Sequence, residues 1–447
     1  MINLQPITYN LQQKKTVKKN VVGRWLSVVS QHSGQSLIEV LVGLAIGAIL
    51  IGSAGLGISF MLKSTTSNDN LQGASGIVRQ TLDEVRSYIS ADWQNIYGLT
   101  KGLDTQYFLN ASGTTFYSVQ GKEGVLSRDV TSGLIGRWGL DEATGTVAYD
   151  MSGNGNDGVL TNNPTRATST CWVGYCLDLN GTNNYVYVTN GGIFDLAKFS
   201  WTVWIKPSWV SGVPSYNPAV VALRNILNTR MSMHIRSNYS NLDLWNGSSL
   251  QSFPYTFQPD DWYHIVFTYN SGVATIYING VAIGSNSFTQ GSTTLLPLYI
   301  GSSDGTAEYF NGSIDDVRIY NRTLTATEVK NLYESKQFSA YFSVENVCRS
   351  NDSSSTITDT EPCQSGSIVD PITEEITAKT EWNTRGTTDN VSLVDYITRW
   401  KNKVFYQTDW SGGSGVDGPL TNPTTQYSSS TNIDATTNPG SLRIKNL

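Results

Sequence analysis

An apolar stretch of 28 residues near the start of the chain is its most constraining feature. Between Gln35 and Leu62 the only charged residue is Glu39. A helix needs roughly 20 apolar residues to cross a bilayer, so this stretch is long enough to span one. A carboxylate inside such a segment is unfavourable without a partner, which suggests a functional role for Glu39. The sequence therefore predicts a membrane helix over residues 35–62.

The segment before this stretch is basic. It contains no Asp or Glu, and its basic residues are Lys14, Lys15, Lys18, Lys19 and Arg24. Basic flanks of a membrane helix stay in the cytoplasm, so the chain after Leu62 is expected to face outward. An ordinary secretory signal has a shorter apolar core followed by a small-residue cleavage site. Here Gly34 precedes the apolar stretch, which favours a different kind of processing.

Gly34, Gln35 and Glu39, followed by the apolar run, resemble the processing site of type IV prepilins and pseudopilins. The resemblance implies that a prepilin peptidase cuts after Gly34 and methylates the new N-terminus at Gln35. It also implies that Glu39 helps the subunit join a filament, with the membrane and other pilin-like subunits as partners. The alternative is a plain single-pass anchor in which the glycine and glutamate have no such role.

Charge and histidine content exclude several classes of function. The net charge is −6, and without the five basic leader residues the remaining 25 basic and 36 acidic residues give −11. Nucleic-acid binding needs basic surface, so we expect no nucleic-acid partner. The sequence has three histidines, His32, His234 and His264, which leaves little for histidine-based metal or nucleophile chemistry.

The four cysteines fall in two close pairs, Cys171 with Cys176 and Cys348 with Cys363. An even number in an exported region suggests two disulfide bonds. The spacings of five and fifteen residues fit a four-cysteine zinc site poorly, because such sites use closer pairs. In the chain-entropy description a Cys348–Cys363 bridge would stabilise the fold by roughly 3 kcal/mol.

Two kinds of periodicity divide the rest of the chain. After a polar break at 63–70, apolar residues recur at three- and four-residue steps and predict an amphipathic helix. These positions are Ile77, Val78, Leu82, Val85, Ile89, Trp93 and Ile96. From Gly133 to about Glu334, short β-branched and aromatic runs alternate with Gly, Asn and Ser turns, which predicts an all-β sandwich. Asn279-Gly280 predicts a hairpin turn.

The simplest organisation inserts the sandwich into a smaller domain. Strand-like runs occur on both sides of the sandwich, and a lone pair of strands is marginally stable. We therefore predict a multidomain chain whose N-terminal transmembrane α-helix continues into an α+β pilin-like head, with an inserted all-β jelly-roll sandwich. The alternative is three domains in a line.

The predicted boundaries follow from these changes in pattern. They are 1–34 for the prepilin leader, 35–62 for the transmembrane or filament helix, 63–131 for the first part of the head, 132–336 for the jelly roll, 337–405 for the second part of the head and 406–447 for a flexible tail rich in Ser, Thr and Gly.

Several segments of the sandwich region, in the right order, resemble laminin G-like, concanavalin A-type jelly rolls. They are GLIGRWGLDEATGTVAYDMSGNGNDGVL, LDLNGTNNYVYV, DWYHIVFTYNSGVATIYINGVAIGS and YFNGSIDDVRIYNRTLTATEVKNLY. The resemblance implies a module that binds extracellular glycans or proteins, often with a structural Ca²⁺.

A Gly-rich acidic loop is a candidate calcium site. Calcium prefers about six to eight oxygen ligands from carboxylates, amides and carbonyls. Asp150, Asn154 and Asp157 lie on this loop, and Asp315 on a late strand could approach them. The alternative is that the loop residues build a turn through side-chain-to-backbone hydrogen bonds.

We predict no catalytic residues and interpret the chain as a non-enzyme. A retaining glycosidase needs two carboxyl groups roughly 5–5.5 Å apart. Residues two apart on one strand could provide them, because their side chains share a face. Asp141-Glu142 and Asp315-Asp316 are adjacent instead, which on a regular strand places them on opposite faces.

Some aromatic residues in or beside turns could instead stack on a sugar ring. These candidates are Trp209, Tyr216, Trp245 and Tyr309. Core burial is the expectation for Trp201 and Trp204 and the more common role of any single aromatic residue.

The combined prediction is a type IV pilus or pseudopilus subunit that displays a carbohydrate- or protein-binding laminin G-like module for adhesion. It would be a single-pass membrane protein assembled into a bacterial cell-surface filament. The alternative is an anchored or secreted glycan-degrading enzyme with a concanavalin A-like domain. Turnover of β-glucans would distinguish the two.

Overall fold

The structure is a computed structural model that describes residues 68–112, 115–168, 171–189, 193–211, 213–292, 295–350, 356–384, 387–399, 433–434 and 443–444. The predicted leader and membrane helix, with Gly34, Gln35 and Glu39, lie outside the described residues, as does most of the predicted tail. Within the described ranges, no helix combines the length and the apolar character needed to cross a membrane.

The described chain begins with a long amphipathic helix, α1, over residues 68–91. Its buried face includes Val78, Leu82, Val85 and Ile89, as the periodicity predicts, and these side chains pack on a β-sheet. A short helix and three strands follow: α2 (Gln94–Tyr97), β1 (Tyr107–Ser112), β2 (Thr115–Gln120) and β3 (Glu123–Leu126).

The next region is a sandwich of short antiparallel strands. The described strands are β4 (Leu134–Trp138), β5 (Val147–Ala148), β6 (Gly158–Thr161), β7 (Thr165–Ala167), β8 (Cys176–Asn180), β9 (Tyr185–Val188), β10 (Lys198–Pro207), β11 (Ala219–Arg224), β12 (Thr229–Ile235), β13 (Asn241–Trp245), β14 (Leu250–Pro254), β15 (Tyr263–Asn270), β16 (Val273–Ile278), β17 (Val281–Ser287), β18 (Leu298–Ile300) and β19 (Asn311–Tyr320).

These strands form two sheets of eight described strands each. The first has the order β17-β16-β15-β10-β19-β8-β7, with β4 also paired to β19. The second has the order β14-β13-β12-β11-β18-β9-β6-β5. The hairpin turn between β16 and β17 is the predicted one, with φ of 52° at Asn279 and 80° at Gly280. Positive φ at both positions suits a tight hairpin and is easiest for Asn and Gly.

The main hydrophobic core lies between the two sheets and includes Trp138, Trp201, Val203, Ile205 and Phe267. The central strand β10 is buried on its opposite face as well. On this face Trp204 stacks on Trp172 (3.6 Å between ring centroids) and on Tyr333 of the helix α3 (Ala326–Glu334). The helix α3 also packs on neighbouring strands of the first sheet through Val329 and Leu332. The two-sheet sandwich therefore has a third layer on one side.

The strands after α3 return to the sheet under α1. They are β20 (Gln337–Arg349), β21 (Ile357–Thr360), β22 (Ile368–Thr384) and β23 (Thr387–Thr398), and a separate short pair is β24 (Ile433–Asp434) with β25 (Arg443–Ile444). Strand β20 pairs along its length with β22. Its other edge pairs with β3, then β1, then β21 along the strand. We call α1, α2, β1–β3 and β20–β23 the head.

The chain enters and leaves the sandwich at one place. The Ser127 amide donates to the Lys336 carbonyl (2.9 Å), and the Lys336 amide donates back to Ser127 Oγ (2.9 Å). Arg322 Nε donates to the Ser132 carbonyl at 2.8 Å beside this crossing. The two connecting segments are therefore held together where the sandwich meets the head, and we call this region the junction.

A buried charge cluster lies directly behind the crossing. Arg318, only 1% exposed, pairs with both Asp316 and Asp129, and Arg137 contacts Asp316 at 3.4 Å. Arg137 also donates to the carbonyl of Gly124 in β3. Because Asp129 is in the connecting segment and Gly124 in the head, the cluster joins the head to β4 and β19.

A disulfide-closed loop provides a second attachment. Cys171 is bonded to Cys176, and the loop between them places the Gly174 amide 3.2 Å from Ser339 Oγ of β20. Asp141 accepts hydrogen bonds from the amides of Tyr175 (2.9 Å) and of Gly124 in β3 (2.7 Å). The second predicted disulfide is also present and links Cys348 to Cys363 beside β21.

Replacing Arg318 with Met should destabilise the protein strongly. The substitution leaves the buried Asp316 carboxylate with only the more distant Arg137 (3.4 Å) and removes the cation from the partly exposed Asp129; breaking a buried ion pair costs up to about 3–5 kcal/mol. Urea unfolding followed by tryptophan fluorescence would measure the loss. The control is Lys330→Met, because Lys330 is 62% exposed on α3 and should change the stability by less than about 0.5 kcal/mol. Equal unfolding midpoints for the two variants would contradict the role of the cluster.

Glu381 should make the stability of the head depend on acid pH. Burial alone would raise the pKa of Glu381, but hydrogen bonds from Lys122, Tyr341 and Lys379 lower it to about 2. Because the unfolded value is about 4.3, this stabilisation is fully present above that pH and is lost as the pH falls towards 2.

The substitution Glu381→Gln tests this linkage. The variant should be less stable than the parent at pH 7, and the difference should shrink steadily between about pH 4 and pH 2. The midpoints of urea unfolding of parent and variant, measured across that pH range, would give this difference in stability. A difference that stays constant down to pH 2 would show that the carboxylate charge makes no contribution.

Candidate functional site

Three of the four predicted aromatic residues, Trp209, Tyr216 and Tyr309, line one groove of about 640 Å³. Four connections build it: the turn after β8, the loop after β10, the loop between β14 and β15, and the segment before β19. We call this the terminal groove. It forms at the ends of several strands, where side chains from separate loops converge.

Trp209 supports the terminal groove from behind and is a poor sugar platform. Its ring stacks on Tyr239 with 4.6 Å between centroids, and its indole nitrogen donates to the Ser237 carbonyl at 2.8 Å. The side chain is 8% exposed and belongs to the main core. Core burial, the expected alternative, therefore describes Trp209 better than ligand stacking.

Tyr216 and Tyr309 are only partly buried and border the open space of the groove. The Tyr216 hydroxyl donates to the Gly181 carbonyl (3.0 Å), and the Tyr309 hydroxyl donates to the Gly305 carbonyl (2.9 Å). Burial raises the pKa of both hydroxyls above the ordinary tyrosine value. Both phenols therefore stay neutral donors at physiological pH, and each ring is fixed in orientation.

The remaining lining of the terminal groove is polar on one side and apolar on the other. Thr182, Asn311 and Asp260 contribute polar side chains, whereas Val210 and Val213 form an apolar rim that is 74% and 62% exposed. These residues were not among the predicted site residues. No shared sequence pattern marks these residues, because they lie in separate loops that come together only in the folded structure.

Trp245 lies in a different groove. It ends β13 and is half-buried beside Asn246, near the strongly exposed Ile226 and Leu227 of the turn between β11 and β12. The four predicted aromatic residues therefore do not form one surface, and Trp245 is separate from the other three.

The acidic loop is held together by backbone hydrogen bonds. Asp150 Oδ1 accepts from the amides of Arg137 and Ser152, and Oδ2 accepts from Asn156, each at 2.9 Å. Asp157 Oδ1 accepts from the Asp150 amide at 2.8 Å. Three of these amides belong to the loop and one to Arg137 of β4, so the hydrogen bonds match the alternative interpretation, a turn built by side-chain-to-backbone bonds.

Asp315 does not join this loop. Its Oδ2 accepts from the amides of Trp172 and Val173, each at 3.0 Å, beneath the disulfide-closed loop. Asn154 is exposed and turns its side chain to Ser152 Oγ. Among the described residues, no group of three or more His, Cys, Asp or Glu side chains is arranged to hold a metal. The four-residue set does not fit a calcium ion, and calcium binding stays a prediction.

The expectation that Asp315 and Asp316 point to opposite faces was wrong. The pairing of β19 with β10 shifts between Thr202 and Trp204, and Asp316 has a φ of 43° at this β-bulge. A bulge adds one residue and changes the alternation of the strand. Both carboxylates consequently lie outside the main core, whereas Ile314, Val317 and Ile319 lie within it.

These carboxylates serve the junction and are inaccessible to a substrate. Asp315 is 0% exposed and Asp316 is 3% exposed. Burial raises the pKa of Asp141 well above its usual range, and the neighbouring Asp315 raises it further. The neighbouring Glu142 accepts hydrogen bonds from the Arg166 guanidinium at 2.9 Å and from the Tyr149 amide at 2.7 Å.

Comparison with known families matches two parts of the chain. Residues 29–55 match the prokaryotic N-terminal methylation motif, and residues 180–330 match the concanavalin A-like lectin/glucanases superfamily, in a laminin G class. The chain joins a prepilin-type methylation motif to a laminin G-like domain. The predicted resemblances are thereby confirmed. The motif implies processing by a prepilin peptidase and assembly with other pilin-like subunits.

Individual relatives cover only parts of the chain. Over 147 residues it is 24% identical to adhesion G-protein coupled receptor V1 of Danio rerio, a match that spans 31% of this chain and 2% of that receptor. Domain 4 of AbnA, a GH43 extracellular arabinanase from Geobacillus stearothermophilus solved with arabinotriose, is 22% identical with a TM-score of 0.38, covering 45% of this chain and 98% of that one. Trypanosoma rangeli sialidase with the inhibitor DANA is 19% identical with a TM-score of 0.37, covering 46% and 33%.

Replacing Asp150 with Ala should lower stability even in chelator, because Asp150 accepts hydrogen bonds of the loop whether or not a metal is bound. The variant leaves loop amides without their acceptor, and an unsatisfied buried group costs about 1–3 kcal/mol. Thermal melting of parent and variant in millimolar calcium or EDTA measures both effects. Asp150→Asn is the control, since it keeps one acceptor oxygen and should lose less. A calcium-dependent rise in the parent that disappears in Asp150→Ala would instead establish a metal site.

Proposed function

We propose that the protein is a type IV pilus or pseudopilus subunit that displays its sandwich as a carbohydrate- or protein-binding module. In this proposal the helix over 35–62 anchors the subunit in the bacterial membrane and then packs in a cell-surface filament. Residues 63–131 and 337–405 form the pilin-like head, and 132–336 form the inserted module. The methylation motif supports filament assembly, and the superfamily match supports a binding module.

The observation that carries the display role is the placement of the terminal groove at the far end of the sandwich. Strand β19 begins at Asn311, which lines the groove, and ends at Tyr320, next to the charge cluster of the junction. Ten residues at roughly 3.3 Å each separate its ends by about 30 Å. Strand β8 likewise runs from Cys176 near the junction to Asn180 in the groove. The groove therefore lies at the opposite end of these strands from the junction.

Disulfide bonding agrees with an exported location. Both pairs, Cys171–Cys176 and Cys348–Cys363, are joined, and such bonds form and persist in oxidising compartments. One pair lies in the sandwich and the other in the head, so both parts of the subunit suit the extracellular side.

A glycan-degrading enzyme is the second candidate, because the matched superfamily includes glucanases. The buried, hydrogen-bonded state of Asp141, Glu142, Asp315 and Asp316 favours the binding role over catalysis. Hydrolysis of β-glucans by the purified full chain, abolished by a single carboxylate substitution, would support the enzyme instead.

Replacing Glu39 with Val should leave leader cleavage intact and reduce incorporation into filaments. A carboxylate in an apolar helix needs a cationic partner, and the amine freed at Gln35 by cleavage is the candidate. Mass spectrometry of the mature N-terminus and the yield of the subunit in sheared filaments would measure the two steps separately.

The control Gly34→Glu should block cleavage itself and leave the leader attached. Normal incorporation of the Glu39→Val protein, or full processing of the Gly34→Glu protein, would contradict the assignment to this filament class.

A further inference from the structure

The terminal groove has the size of a small-ligand site. Its volume of about 640 Å³ lies within the range of roughly 300–1,000 Å³ that is usual for such sites. Aromatic and apolar surface with a few converging polar groups is also the usual lining. The groove can therefore enclose a ligand of a few rings, whereas a folded protein partner would contact mainly its rim.

The chemistry of the lining suits a ring that is apolar on its face and hydroxylated at its edge. The rings of Tyr216 and Tyr309 are held by hydrogen bonds to backbone carbonyls, so their orientation does not depend on a ligand. Thr182 and Asn311 lie beside them and can exchange hydrogen bonds with hydroxyl groups. A saccharide presents this combination of C–H faces and peripheral hydroxyls.

The charge of the groove is negative. Asp260 is exposed on its wall, and none of the described lining residues is Lys or Arg. Behind Tyr309, the carboxylates of Glu308 and Asp304 both approach Arg224, at 2.7 and 3.7 Å. The Arg224 guanidinium is therefore already shared between two acids. An acidic ligand would meet like charge in this groove without a counter-ion, which opposes binding.

We propose that the terminal groove is the ligand site of the displayed module and that it selects saccharides without acidic groups, with Asp260 as the residue that sets this selectivity. The inference rests on the proposed function, since it names the ligand class of the module that the subunit displays.

The test measures binding of the mature full-length chain in detergent to immobilised saccharides. The probes are neutral trisaccharides of glucose, galactose and mannose, their amino-sugar counterparts, and matched probes that carry a uronic or sialic acid. The expected result is binding to at least one neutral or amino-sugar probe, with at least tenfold weaker binding to its acidic counterpart.

Three variants locate the site and its selectivity. Tyr309→Ala and Val210→Glu should each weaken binding at least tenfold; Val210 is 74% exposed, so its substitution does not disturb packing. Asp260→Asn should reduce the difference in affinity between neutral and acidic probes. Asn tolerates the φ of 64° at this position, so the substitution should not strain the backbone. The matched control is Leu227→Glu, at an 84% exposed position beside the second groove, which should bind like the parent.

Several results would overturn the inference. These are absence of binding to every saccharide probe, preference for the acidic probes, or equal binding by Val210→Glu and Leu227→Glu. A filament that incorporates the subunit and captures a protein ligand without binding saccharides would also refute the saccharide site. That last result would leave the proposed pilin-like role standing, because processing and assembly are measured independently through Gly34 and Glu39.

Discussion

Strand β20 joins parts of the head that precede the sandwich in the sequence to parts that follow it. It pairs with β3 and β1, which precede the sandwich, and with β22, which follows it. The sequence between β3 and β20 is about 200 residues long. The entropic cost of closing a loop rises only with the logarithm of its length, so this long insertion adds little to that cost. The sandwich holds its own ends close, as the Ser127–Lys336 hydrogen bonds show. The head is therefore compatible with a large insertion.

The junction is built around a buried ion pair of the sandwich, Arg318 with Asp316, that also binds Asp129 of the connecting segment. Asp316 occupies a positive-φ position that is strained for a residue with a side chain, and such conformations persist when the surroundings hold them. Arg318 binds the Asp316 carboxylate through Nε, with both oxygens at 2.9 Å, and reaches Asp129 in the connecting segment. The bulge thus brings Asp316 to the head side of the sheet, where it helps attach the connecting segment to the sandwich.

Periodicity predicted the regular elements well and the bulge and groove poorly. The apolar face of α1 and the Asn279-Gly280 turn depend on local patterns, which the sequence displays directly. The side-chain direction of Asp315 and Asp316 depends on one extra residue in β19 relative to β10, and this register is a long-range property. Tyr216 and Tyr309 could be chosen as turn aromatics, but Asp260 and Val210 join them only through the arrangement of four loops.

The same strands connect the groove to the head, which ties the two proposed functions, filament assembly and ligand binding, together. Strands β8, β10 and β19 are neighbours in one hydrogen-bonded sheet, and each has an end at or beside the groove. At the other end, β19 enters the charge cluster and β8 begins at the Cys171–Cys176 loop that contacts β20. Force applied to a bound ligand would therefore be transmitted along paired strands to β20, the central strand of the head. A flexible linker would leave the direction of the groove undefined, whereas this double attachment makes it a property of the subunit itself.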